Sequence, residues 1–481
     1  MHPRVIANAL GAVIGAGGAV MLIPAAFSLT AGDGNTLAFA GPAVAALASG
    51  MVLFLLTRNP DTRTVRQDVF LIVVLGWLGV AIFGAMPFVV SGVMGPVDAF
   101  FESMAGFTTT GASTVEAPED LAPSILLWRS MTQWAGGIGI VVLFVAVAPL
   151  VGFGATQLYT AEVATPVPER LTPRIRDTAK LLAYVYVGLT LGGVVALLLA
   201  GMGPFDAVNY TLATVSTGGF ATHADSVAAF DSWSVELYLV VGMVLSGINF
   251  ALYVQAVQGR AGRVLRNREL LAYLGMIIGG TIVVAASLYV FDQRDSLVLT
   301  LREALFQTAS LLTGTGFSTA DWQAWDPLSR TLLLLFMAIG GMAGSTAGGL
   351  KMIRVVLLVR NGMQEAFRMV HPQAVTPLRL GDRVVPERLR TSFLGFFFVY
   401  VACLGAGTLL MAMHGLPTGS AFGSVYACLN ISGTALHPVG DAAFYAGLPT
   451  SAKIILTGFM LLGRLELFTV LVLLTPAFWR G

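Results

Sequence analysis

Four short clusters of hydroxyl-bearing residues and glycine interrupt an otherwise apolar chain, and their oxygens are of the kind that hold an alkali cation. The clusters are Thr108, Thr109, Thr110 and Gly111; Ser216, Thr217, Gly218 and Gly219; Thr313, Gly314, Thr315 and Gly316; and Asn430, Ile431, Ser432 and Gly433. A turn of this composition leaves carbonyl oxygens without helical partners, and rings of carbonyls replace the hydration shell of a monovalent cation. Thr and Ser hydroxyls add further hard oxygen ligands. Glycine supplies φ values that other residues avoid and keeps a side chain out of the path. One such cluster alone reads as a turn or a helix-packing site.

The clusters are not independent. "DAFFESMAGFTTTGAST" begins at Asp98, "DAVNYTLATVSTGGFAT" at Asp206, "EALFQTASLLTGTGFST" at Glu303 and "SAFGSVYACLNISGTAL" at Ser420. Each places Ala one residue after its start and Gly thirteen residues after it, and the glycines lie 108, 97 and 117 residues apart. A repeat of this kind is one structural unit used four times. The apolar stretch before each cluster spans only ~10 residues, too short to cross a bilayer, and reads as a re-entrant helix. Asp98, Asp206, Glu303 or Ser420 would begin it, a favourable residue at a helix N-terminus, and its negative end would point inward.

A second set of residues could control passage. The segments "GGIG" (136–139), "SGIN" (246–249), "GGMA" (340–343) and "LGRL" (462–465) can be overlaid so that Gly137, Gly247, Gly341 and Gly463 coincide. The next position is then Ile138, Ile248, Met342 and Arg464. An arginine this deep in an apolar helix is costly and faces the protein interior or a water path. Arg464 and Glu466 are two residues apart and share no helix face. At the same depth the run Gly340, Gly341, Met342, Ala343, Gly344, Ser345, Thr346, Ala347, Gly348, Gly349 has few helix formers and reads as an intramembrane loop. Lys351 and Arg354 beyond it are expected to face the cytoplasm. Arg129 is a second embedded arginine, for which Glu102 is the expected partner.

The elements that must position these residues are membrane helices. The 481 residues are 56% hydrophobic and 11% charged, with a mean hydropathy of +0.80, whereas a soluble domain carries about a quarter charged residues. Apolar windows fall at 5–28, 37–57, 69–91, 124–152, 178–202, 233–257, 269–291, 328–360, 392–414 and 451–478. The first, although preceded by a basic residue, is too long for a signal-peptide core and reads as a retained span. Of 27 basic residues, 21 fall on one side, including Arg58, Arg63, Arg66, Arg170, Arg174 and Arg176. The opposite loops hold Arg294 and Arg302 against fifteen acidic residues. The basic side is therefore expected to be cytoplasmic, with both termini there.

The expected fold is an all-α membrane protein of four pseudo-repeats, each helix, pore helix, filter loop and helix, around one pore. An extra N-terminal pair brings the count to ten transmembrane and four re-entrant pore helices. The divisions are 1–66 for the pair, 67–153, 154–258 and 259–360 for the first three repeats, and 361–481 for a cytoplasmic connector with the fourth. Segments 154–177 and 361–391 suit either a partner's docking surface or solvated loops. Cys403 and Cys428 read as small buried hydrophobes, and His223, His414 and His437 show no ligand spacing. No HExxH, GxSxG or Walker A pattern supports an enzyme, and "GAGGAV" (15–20) reads as helix packing. An alternating-access symporter would call for inverted repeats and a midplane acidic relay; coupling to H⁺ or Na⁺, or weaker K⁺/Na⁺ discrimination, stays open.

On the four clusters and on "QWAGGIGIVVL" (133–143), "LTPRIRDTAK" (171–180), "GGMAGSTAGGLKMIR" (340–354), "HPQAV" (371–375) and "GRLELFTVLVLL" (463–474), the chain resembles the Trk/Ktr/HKT superfamily of potassium transporters, in its TrkH branch. The resemblance implies a channel-like K⁺ uptake protein of the bacterial inner membrane that forms homodimers in the lipid bilayer and has no role with nucleic acid. It implies a cytosolic TrkA-like regulatory subunit of the RCK type, carrying NAD or ATP/ADP, and no organic cofactor on this chain. It names 340–350 as the gating loop. It also makes Gly111, where plant relatives preferring Na⁺ carry Ser, a mark of K⁺ preference. The "NISG" cluster departs most from the Thr-rich pattern.

Overall fold

The computed structural model describes residues 1–57, 66–151, 171–291, 296–374, 377–380, 383–434 and 441–480. Arg58, Arg63, Arg170, Arg294, His437 and most of segment 154–177 lie outside the described residues. Apart from a hairpin of two-residue strands, Arg379–Leu380 with Arg383–Val384, the described chain is helical.

The first two helices, Pro3–Ala31 and Thr36–Leu56, cross at glycine. A methyl group on Gly11 would come within 2.7 Å of the Gly50 carbonyl, and one on Gly50 within 2.6 Å of the Gly11 carbonyl. A methyl group on Gly18, in the "GAGGAV" run, would likewise come within 2.9 Å of the Ala43 carbonyl. Small residues here let two backbones touch, as expected between membrane helices. Asp33 in the intervening turn accepts from the Ser124 amide at 3.0 Å, fastening the pair to the first repeat. Burial raises the affinity of its carboxyl for a proton, but donors from Ser124, Ser28 and Asn35 prevail and hold its pKa below the ordinary value.

Four units follow. Their leading helices are Arg66–Val90, Leu171–Leu199, Arg268–Phe291 and Glu387–Ala412. Their short helices are Pro96–Phe107, Pro204–Val215, Leu297–Thr313 and Thr418–Asn430. Each short helix starts earlier than its acidic or Ser residue suggested. Pro96 and Pro204 take the first turn, where a missing N–H costs nothing, and Ser296 caps the third through the Leu299 amide at 3.4 Å. The repeated alanines Ala99, Ala207, Ala304 and Ala421 are all 0% exposed, so that offset marks close packing.

The trailing helices differ from one another. The first, Pro123–Val151, is continuous. The second breaks between Trp233–Ser246 and Phe250–Val264 with a 90° bend, and the fourth between Thr450–Arg464 and Phe468–Leu474 with a 112° bend. The third is Pro327–Ile339, a loop, then Met352–Val370. Among the described residues six helices are individually long and apolar enough to cross a membrane, and the two bent pairs bring that to eight. Windows 233–257 and 451–478, read as straight spans, are thus broken. Asn249 explains one break: its side chain accepts from the Ala251 amide at 2.8 Å and starts a new helix.

Candidate cation filter and the loop beneath it

Each short helix ends in the same way. The N–H of the second cluster residue bonds three residues back: Thr109 to Gly106 at 2.8 Å, Thr217 to Thr214 at 3.0 Å, Gly314 to Leu311 at 3.2 Å and Ile431 to Cys428 at 3.4 Å. The N–H of the third bonds five back: Thr110 to Ala105, Gly218 to Ala213, Thr315 to Ser310 and Ser432 to Ala427, at 2.8, 2.8, 2.9 and 3.1 Å. This is the Schellman arrangement, which requires a left-handed residue at the second position. Thr109, Thr217, Gly314 and Ile431 accordingly have φ of 56°, 54°, 74° and 58°. A β-branched residue such as Ile431 is rarely found there, and such strain persists only where the surroundings over-determine it.

The fourth residues, Gly111, Gly219, Gly316 and Gly433, also have positive φ, between 68° and 82°. Their missing side chains close a ring. A methyl group on Gly111 would strike the Gly218 carbonyl, one on Gly219 the Thr315 carbonyl, one on Gly316 the Ser432 carbonyl and one on Gly433 the Thr110 carbonyl. Repeat 1 thus meets repeat 2, 2 meets 3, 3 meets 4, and 4 returns to 1. "NISG" has the same backbone as the other three. The first-position hydroxyls turn away into their own helices: Thr108 donates to the Met104 carbonyl at 2.6 Å, Ser216 to Leu212 at 2.7 Å and Thr313 to Ala309 at 2.8 Å. The backbone carbonyls are therefore the oxygens the ring holds in common.

On the fourth-residue side lies a cavity of about 460 Å³, bordered by Gly219 and Gly316 and by Glu116, His223, Asp225 and Asp321. Arg129 also borders it, but its charge is committed. Its Nε donates to Glu102 at 2.8 Å, its other nitrogens to the Ser113 hydroxyl and the Ala221 carbonyl, and it lies over the Phe220 ring at 4.4 Å. The expected Arg129–Glu102 pair is present, with both partners buried.

The loop 340–351 closes against the other end of the ring. Gly340, Gly344, Gly349 and Lys351 all have positive φ. A methyl group on Gly348 would strike the Asn430 carbonyl and reach Ile431 at 2.6 Å, so the loop touches the fourth cluster directly. Thr346 Oγ1 donates within reach of two carbonyls, Val215 at 3.0 Å and Ser246 at 3.2 Å. Met342 N–H bonds the Gly247 carbonyl at 2.9 Å, and the Gly344 carbonyl accepts from Phe250 at 3.1 Å. Arg464, 4% exposed, donates to the Thr346 carbonyl at 2.8 Å and to the Gly136 carbonyl at 3.2 Å. One side chain of the fourth repeat thereby links the third repeat's loop to the first repeat's helix.

Two sequence expectations change here. Gly463 abuts the Leu429 carbonyl as Gly136 abuts that of Phe107, so Gly463 corresponds to Gly136 and Arg464 to Gly137 and Gly247. The overlay was one residue out, because two adjacent glycines in "GGIG" offered two registers. Lys351 and Arg354 do not project into the cytoplasm. Lys351 Nζ turns back to the Ala347 carbonyl, and Arg354 pairs with Glu466 at 2.5 Å over the Phe396 ring. Glu466 thus serves Arg354 rather than Arg464, and sequence reasoning missed it because the two lie 112 residues apart.

Comparison with known proteins agrees with this architecture. The family model for TrkH, described as a cation transport protein, matches residues 37–480. The Trk system potassium uptake proteins TrkH of Salmonella typhimurium and Escherichia coli K12 are 40% and 39% identical, over 100% of both chains in each case. The crystal structure of the potassium transporter TrkH from Vibrio parahaemolyticus superposes with a TM-score of 0.93 at 36% identity, covering 100% of each chain. These relatives are named as transporters, not enzymes. With its closed ring of four turns and a family match over nearly its whole length, the chain belongs to the TrkH family of cation transport proteins.

Proposed function

We propose that the chain conducts K⁺ inward across the bacterial inner membrane, as the names of its relatives indicate for them. The observation that carries this reading is the closed ring, in which four turns of different sequence share one backbone and meet through glycine. Backbone carbonyls of residues 108–111, 216–219, 313–316 and 430–433 would replace the ion's water. Four helix C-termini, each equivalent to about half a negative charge, would favour a cation there. Acidic residues around the outer cavity would raise the local cation concentration.

The loop 340–351 and Arg464 form the gate in this reading. The guanidinium both ties the loop shut and repels a cation below the ring. The division into an N-terminal pair and four repeats, and a cytoplasmic position for both termini, belong to the same proposal. So do assembly as a homodimer and control by a cytosolic nucleotide-binding subunit of the TrkA type.

The test is Gly111→Ser in proteoliposomes, with K⁺ and Na⁺ fluxes measured side by side. Serine at φ 78°, against the Gly218 carbonyl, must displace the repeat 1–2 junction. The K⁺ over Na⁺ ratio is expected to fall about tenfold, equivalent to ~1.4 kcal/mol of discrimination. An unchanged ratio rejects the filter assignment.

A further inference from the structure

Behind the ring, the four repeats place one buried side chain each at a corresponding position, and one of the four is different in kind. These residues lie three before the glycine or serine at the break level: Gln133 before Gly136, Met243 before Ser246, Met337 before Gly340 and Met460 before Gly463. Contacts support the correspondence. Gly137 and Gly247 each lie under a tyrosine hydroxyl, of Tyr186 and Tyr273, and against the first cluster residue of the next repeat, Ser216 and Thr313. Gln133 bonds Phe220, the residue after the repeat 2 glycine, and Met337 Sδ lies 3.7 Å from Thr434 Oγ1, the residue after the repeat 4 glycine. All four side chains are at most 1% exposed.

A buried amide in a place that otherwise takes a thioether costs free energy unless both its ends are paired. Both are. Gln133 Nε2 donates to the Gly218 carbonyl at 2.7 Å, and Oε1 accepts from the Phe220 amide at 3.1 Å. The methionines have no N–H to offer a carbonyl.

Gly218 is the other half of the exception. The third cluster residue is Thr110, Thr315 or Ser432 elsewhere, and each of those hydroxyls has a local partner. Thr110 meets Thr108 at 2.8 Å, Thr315 meets Thr313 at 2.7 Å and Ser432 meets Thr434 at 3.1 Å. Repeat 2 has no third-position side chain, and none would fit: a methyl group on Gly218 would lie 2.6 Å from Gln133 Oε1 and 2.7 Å from Nε2. We infer that Gln133 replaces the missing third-position hydroxyl of repeat 2 and is a positioning residue for K⁺ discrimination. It acts through the Gly218 carbonyl at the repeat 1–2 junction. This deepens the filter reading and rests on it.

Three variants test the inference in proteoliposomes. Gln133→Met gives repeat 1 the side chain of the other three. It is expected to lower the K⁺ over Na⁺ ratio about three- to tenfold, the worth of one hydrogen bond to a filter carbonyl. Gly218→Thr in the natural background collides with Gln133 and is expected to lower the ratio as well. In the double variant Gln133→Met with Gly218→Thr the collision is gone and the hydroxyl is restored, so the ratio recovers toward the natural value. A purely structural role would move the melting temperature and leave the ratio unchanged. Gln133→Glu keeps an acceptor for Phe220 but loses the donor, and repeats the loss of ratio should Gln133→Met not fold. Gly111→Ser is measured in parallel. If it alters the ratio while Gln133→Met and Gln133→Glu do not, the positioning role is wrong and the filter stands. If Gly218→Thr is equally harmful in both backgrounds, the coupling is wrong. If every variant is silent, the filter reading fails along with the inference.

Discussion

The ring of four turns and the layer directly beneath it are built from the same four helical units, yet one is nearly fourfold and in the other the repeats diverge. In the ring, Thr, Thr, Gly and Ile all adopt the left-handed conformation at the second position, and the same two hydrogen bonds, of 2.8 to 3.4 Å, end each short helix. Beneath it, the trailing helices are continuous in repeat 1, sharply bent in repeats 2 and 4, and opened into a twelve-residue loop (340–351) in repeat 3. On the proposed reading the ring selects an ion, which requires equivalent oxygens around an axis, and this accounts for a backbone geometry held even against local strain at Ile431. Stopping an ion requires only one obstruction, and an obstruction that must move is easier to build from one divergent repeat than from four matched ones.

The sharpest way to break this contrast is to disturb the ring at one junction. Gly219→Ala places a methyl group on the Thr315 carbonyl at a φ of 80°. Left-handed strain of ~1–2 kcal/mol adds to overpacking of ~1–3 kcal/mol. K⁺ flux, followed as uptake into loaded vesicles, is expected to fall roughly a hundredfold. Alanine tolerated there would show that the four turns need not be equivalent.

The layer beneath should respond in the opposite direction. Arg464→Ala removes charge-assisted hydrogen bonds to the Thr346 and Gly136 carbonyls, each worth ~1.5–3 kcal/mol. Basal K⁺ flux should rise at least about tenfold, the equivalent of losing one such bond, while the K⁺ over Na⁺ ratio stays that of the natural protein. A fall in flux, or a changed ratio, would mean that ring and loop are not separable functions.

The two layers were also unequally legible in the sequence. The ring could be read because its requirement is local: a left-handed glycine thirteen residues after an acidic or Ser residue in each short helix recurs four times at one offset. The layer beneath depends on contacts between distant segments. Nothing local in "LGRL" says that Gly463 takes the place of Gly136 rather than of Gly137. Nothing near Arg354 announces Glu466. The bends at 247–249 and 465–467 sit inside windows whose hydropathy is that of an unbroken span. Asn249 was the one available signal, since an Asn after "SGI" can cap a new helix. Gln133 and Gly218 each looked unremarkable alone, and only their contact explains why both depart from the pattern.

The smallest expected effect tests whether the divergent repeat is held at its far end. Its trailing helix has only thirteen residues, Pro327–Ile339, before the loop begins. Asp326 caps it, accepting from the Leu328 amide at 2.9 Å, the Ser329 amide at 3.1 Å and the Ser287 hydroxyl at 2.8 Å. Burial pushes the carboxyl pKa up, but donors from Ser329, Ser287 and Leu328 outweigh it and hold the pKa below the ordinary carboxylate value. A depressed folded pKa means that the stabilisation is complete above the unfolded value near ~4 and is lost as pH falls through the folded one. Asp326→Ala should cost about 1 kcal/mol at neutral pH, the usual worth of a cap. Asp326→Asn keeps a capping oxygen but no charge. The melting temperature of the natural protein should exceed that of the Asn variant at pH 7, and the gap should narrow as pH falls below about 4. A gap that stays constant from pH 7 to pH 3 would remove the carboxylate from the account. The helix Pro327–Ile339 would then be held by its core packing through Leu333, Phe336 and Met337 and by its loop contacts, with no contribution from the charge at its cap.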